Sequence, residues 1–165
     1  MTQTQEFKQL LKQDFGTLVS NSIIPNDTGG YDVFDKYTIT QTPEGYSVTC
    51  YATDIGVFSS TKTALSWCIA DKYSAYNTAR QILQTDRKLT NLRYDIAVRA
   101  SLGDRANNEN FRDTILTKLE TKIIHKKILE NQLAKCVNWA KYIQQRGFEN
   151  ETQRIGRNQP NKTSR

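Results

Sequence analysis

The sequence predicts an α+β protein in which a small antiparallel sheet precedes a long antiparallel helical hairpin. Three observations predict it. Residues 57–146 contain no proline and a single glycine, Gly103, with apolar residues at helical spacing on both sides of it. Residues 37–53 instead alternate apolar side chains with Thr and Ser around Pro43, Glu44 and Gly45. After residue 148 the only large apolar side chain is Ile155. The chain thus reads as one domain over 1–148, followed by a flexible basic tail over 149–165. Within the domain the expected order is an N-terminal helix (1–20), a β-meander of two or three strands (34–59), and hairpin arms over 60–102 and 108–147.

Phe7, Leu10, Leu11, Phe15 and Leu18 fall on one helical face, which predicts the first helix. A helix this short needs something to pack on, either its own chain or a partner. Residues 21–32 carry Pro25, Asn26-Asp27 and Gly29-Gly30, the chemistry of a loop. Tyr37 and Ile39, then Tyr46, Val48 and Cys50, define the buried face of a β-hairpin, and residues 55–58 offer a third strand. Two or three strands need a cover, and Leu65, Trp67, Cys68 and Ile69 supply one.

Ser59, Ser60 and Thr61 are hydroxyl caps for the first arm. Its stripe runs through Leu65, Cys68, Ile69, Tyr73, Tyr76, Ile82, Leu89, Leu92 and Ile96. The weak helix formers from Tyr73 to Thr78 leave open whether this arm is continuous or breaks near there. Gly103 is placed as the left-handed residue that ends the arm, and Asn107 and Asn108 as caps for the next. The second stripe is Phe111, Ile115, Leu119, Ile123, Leu129, Leu133, Val137, Ala140 and Ile143.

The 165 residues carry 23 Lys and Arg against 17 Asp and Glu, a net of +6. The excess is one-sided. Residues 1–75 hold five basic against eight acidic side chains, a net of −3, and residues 76–165 hold eighteen against nine, a net of +9. A basic helical half favours an anionic partner. No stretch approaches the roughly eighteen apolar residues of a membrane span, and the first residues lack a signal-peptide core. The three cysteines, Cys50, Cys68 and Cys136, are scattered and form no Cys-x-x-Cys pair, so buried thiols in a reducing compartment are expected.

Chemistry finds little support. His125 is the only histidine, no metal-ligand spacing occurs, and no glycine-rich phosphate loop is present, so neither cofactor nor metal is expected. Asp54, Asp71, Asp86, Asp95, Glu109, Asp113, Glu120 and Glu130 keep a carboxylate nuclease open as a minor alternative. Asp86, Glu120 and Glu130, each near a Lys or Arg, read as solvated helix faces. The basic groups are the stronger signal: Lys118, Lys122, Lys126, Lys127, Lys135, Lys141 and Arg146 on the second arm, then Arg154 and Arg157 in the tail. Lys118, Lys122 and Lys126 form one ridge at steps of four, suited either to successive phosphates or to a solvated flank. Trp139 and Tyr142 beside Lys135 and Lys141 are suited to stacking on bases or to core packing.

Two resemblances add to this reading. Tyr37-Thr38-Ile39, Gly45-Tyr46-Ser47-Val48 and the run 56–67 ending at Trp67 resemble the strand-strand-strand-helix layout of integrase arm-binding and AP2 domains. That likeness implies a sheet that enters a DNA groove with the helix behind it, although these strands carry Thr and Ser where those families carry Arg and Lys. The run 58–72, with Gln144-Gln145-Arg146-Gly147-Phe148, is similar to small proteins of marine tailed bacteriophages, which implies a virally encoded protein and brings no activity with it.

The expected function is non-enzymatic binding of nucleic acid, DNA before RNA, through the basic hairpin and tail. The alternative is a virion structural or assembly protein that pairs with other virion proteins or with its own copies through the hairpin. Either role belongs in the host cytoplasm or the virion, away from membranes.

Overall fold

The structure, a computed structural model, describes residues 22–27 and 30–157, and beyond residue 147 the course of the helix alone. The helix expected over 1–20 lies outside the described residues, as do residues 158–165. The fold is α+β. Strands β1 (Ile23–Pro25), β2 (Tyr31–Val33), β3 (Tyr37–Thr42), β4 (Gly45–Cys50) and β5 (Thr53–Phe58) precede helices α1 (Thr61–Lys72), α2 (Tyr76–Arg105) and α3 (Glu109–Arg157). The strands pair antiparallel with their sequence neighbours in one five-stranded sheet.

Five strands correct the expected two or three. β1 and β2 arise in the stretch read as a loop, because three-residue strands are too short to display alternation. Asn26 closes the loop between them: its N–H donates to the Gly30 carbonyl at 3.0 Å, and its Oδ1 accepts the Gly30 N–H at 3.1 Å. Tight turns follow: Phe34 and Asp35 sit at φ 55° and 56° in the three-residue β2–β3 connection, and Tyr51 and Ala52 at φ 49° and 71° in the two-residue β4–β5 turn. Both positions of such a turn are left-handed, which matches the twist of the strands but strains any side chain other than Gly or Asn.

One face of the sheet buries Tyr31, Val33, Tyr37, Ile39, Val48 and Phe58. Against it lies α1, whose residues from Thr63 to Ala70 are all buried because the α2–α3 pair covers the opposite side. A helix enclosed on two sides is apolar all round rather than striped. Trp67 meets the edge of Tyr37 at 5.8 Å, and the Tyr37 hydroxyl donates to Asp71, which Lys36 also approaches at 3.5 Å. Burial and that carboxylate push the Tyr37 phenol far above its ordinary range.

Ser60 caps α1 as expected, its Oγ accepting the Thr63 N–H at 3.2 Å. The first arm breaks at Tyr73–Ala75, where Ser74 turns left-handed at φ 62° and Ala75 N–H reaches back to the Ala70 carbonyl at 2.7 Å. The reversal is not at Gly103. That residue is buried inside α2, where a methyl group would sit 3.5 Å from Ile115. The chain turns at Ala106–Asn108, and Asn108 Oδ1 caps α3 by accepting from Asn110 and Phe111 at 2.9 and 3.3 Å.

The helix α3 has 49 residues and runs about 70 Å; α2, with 30, runs about 45 Å. The residues of 149–157, expected in the tail, continue α3. No proline interrupts them before Pro160, and extending a formed helix is far cheaper than starting one. The core shared with sheet and α1 takes in Ala79, Ile82, Val137 and Ala140. A smaller cluster of Leu89, Leu92 and Leu129 joins the arms further out. The rest of the hairpin, towards Ala106, projects as two helices.

Candidate nucleic-acid interface

The seam between the arms decides which lysines are free. At 3.6 residues per turn the buried line on α3 passes through Ile115, Leu119, Leu129, Leu133, Val137, Ala140 and Gln144. Between Leu119 and Leu129 that line crosses Lys122 and Lys126, not Ile123. Two expected stripe residues therefore lie outside: Phe111 is 54% and Ile123 52% exposed. The Lys122 ammonium is bound to Asp95, which Arg99 also contacts at 3.2 Å, and Lys126 approaches Glu130 at 3.9 Å. Beside that ammonium the Asp95 carboxyl is held below its ordinary range. Of the expected ridge, Lys118 alone is exposed, while Lys122 and Lys126 are half-buried.

The remaining candidates group further along α3. Lys127 and Lys135 are exposed, Lys141 is half-buried, and Arg146 is exposed. Arg154 and Arg157 stand in its last turn. Lys135, Trp139, Tyr142 and Arg146, spaced by four, three and four residues, make one stripe on the side of α3 opposite the seam. Trp139 and Tyr142 are exposed, so neither serves the core, and their rings stack at 5.0 Å with 25° between planes. The Arg146 guanidinium lies 5.8 Å from the Tyr142 ring centre and donates to its hydroxyl at 3.1 Å. Residues 131–147 contain no Asp or Glu. Lys135 also faces Lys88 across a groove of about 430 Å³ lined by Gln81, Gln84, Thr85, Gln132 and Cys136. The spacing of basic and aromatic residues along 135–146 was readable in the sequence; the contribution of Lys88 from the other arm was not.

Four of the carboxylates, Asp71, Asp86, Asp95 and Glu130, are engaged within the chain. Asp86, read as solvated, is fully buried and accepts from the Ser59 N–H at 2.9 Å and from its hydroxyl at 2.5 Å, tying the start of α1 to α2. Neighbouring charges in sequence said nothing about which face Asp86 occupies. Among the described residues no three His, Cys, Asp or Glu side chains gather in a metal-binding arrangement. Burial pushes the Cys68 and Cys136 thiols up, which keeps them protonated at neutral pH. Among the described residues no helix is long and apolar enough to cross a membrane.

Comparison with protein-family models, with curated proteins and with solved structures returns no match for this chain.

Proposed function

We propose that this protein binds nucleic acid without catalysing a reaction on it, and that the strand lies along the second half of α3. The observation that carries the reading is the stripe of Lys135, Trp139, Tyr142 and Arg146 in a segment devoid of acidic residues. Cations at one-turn intervals neutralise phosphates, while exposed indole and phenol rings accept unpaired bases of any sequence. Single-stranded DNA is the ligand this favours, because a duplex hides the base faces on which the rings act. Lys88 and Lys141 add positive charge beside the stripe, and Arg154 and Arg157 continue the basic sequence beyond it. A virion assembly role is the competing reading, favoured by the apolar side chains of the projecting hairpin; either role is placed in an infected cell or its particles, in keeping with the phage-like stretches.

Fluorescence anisotropy with a labelled oligonucleotide tests the proposal. Affinity is expected to fall steeply with salt, and single-stranded DNA to bind more tightly than duplex. Trp139→Ala is expected to weaken binding by roughly 5- to 100-fold, the worth of one stacked base. Of the two tryptophans Trp67 is buried, so quenching on binding reports Trp139. Salt-independent binding, or none at low salt, rules the reading out.

A further inference from the structure

The first half of α3 is apolar on more sides than the described residues cover. Leu116, Ile123, Ile124 and Ile128 are 45%, 52%, 63% and 50% exposed, while the buried seam runs through Ile115, Leu119 and Leu129. A helix apolar around most of its circumference belongs inside a bundle, and among the described residues α2 alone is beside it. Glu120 and Lys127 lie on the exposed side, seven residues apart and so nearly in line. Among the described residues neither has an ion-pair partner within the chain.

We infer that this face pairs with the same face of a second copy, α3 antiparallel to α3, about a two-fold axis between Ile123 and Ile124. That axis brings each residue opposite the one whose number completes the same sum, so Glu120 of each copy meets Lys127 of the other. Ile123 and Ile124 occupy the centre, and Leu116 and Ile128 flank them. A two-fold contact must be self-complementary, and an apolar centre between one acidic and one basic residue satisfies that requirement twice over. Charge over the projecting arms also fits a copy better than a polyanion. Residues 90–105 and 109–130 hold eight Lys and Arg against six Asp and Glu, whereas residues 131–147 hold three against none. With the stems of Glu120 and Lys127, the face offers on the order of 600 Å² per copy, the lower bound for a specific interface.

Sedimentation velocity of the full chain over a range of concentrations tests this, with circular dichroism confirming that each variant keeps its helices. The wild type is expected to dimerise reversibly. Ile123→Glu with Ile124→Glu is expected to give a folded monomer. Glu120→Lys or Lys127→Glu alone places like charges opposite each other and is expected to weaken the dimer about tenfold. The two together exchange the charges and restore it. A wild type that stays monomeric throughout, or charge variants whose double form is no better than either single, overturns the proposal. None of these readouts involves nucleic acid, so the result stands apart from the fate of the Trp139 stripe.

Discussion

Asp86 shows how one buried group ties two elements together. Its carboxylate accepts both the backbone N–H and the hydroxyl of Ser59 at the entrance to α1, with no exposed surface of its own. Asp86→Ala is expected to cost about 2–3 kcal/mol, since it strands those donors, and chemical denaturation measures it. Ala52 illustrates the opposite case, an exposed residue forced to φ 71° in the β4–β5 turn. Glycine has no side-chain clash in that region, so Ala52→Gly is expected to stabilise the protein by about 0.5–1 kcal/mol. Gly147 is different again. A methyl group there would lie 2.2 Å from the Tyr73 ring, so Gly147→Ala is expected to lower the melting temperature by forcing α3 away from the α1–α2 corner.

Among the elements, the hairpin separates what could be read beforehand from what could not. Gly103 reads equally as a left-handed cap or as a place where helices touch, and only the packing of Ile115 decides between them. Because it is helical, Gly103→Ala is expected to stabilise the protein by about 0.5–1 kcal/mol, where a left-handed cap would have made the change harmful; thermal unfolding tells them apart. Ser60, the Pro43–Gly45 turn and the alternation of β3 and β4 were legible because each follows from chemistry within a few residues. The three-residue strands lacked enough length to show a period. The engagement of Lys122 on the seam depended on Asp95, distant in sequence and supplied by the other arm. The acid behaviour of that contact follows in sign. A carboxyl held low when folded stabilises above the ordinary carboxylate range and stops doing so as pH falls through its folded value. The stability difference between wild type and Lys122→Ala is therefore expected to shrink in acid, measurable by denaturation at stepped pH.

For the molecule as a whole, sheet and α1 form a compact body on one end of a rod that extends well past it. The same uninterrupted helix carries the apolar face near Ile124, proposed above to self-pair, and the basic aromatic stripe centred near Tyr142. Continuity has a metric consequence. At about 1.5 Å per residue the two lie some 27 Å apart along a stiff axis. An antiparallel pair of such rods holds its two stripes at opposite ends, on the order of 50 Å from each other. With the proposed pairing and the proposed strand binding together, the assembly is expected to act as a caliper, engaging two stretches of strand at a set interval, with joint engagement multiplying affinity only when the intervening nucleotides can bridge that gap.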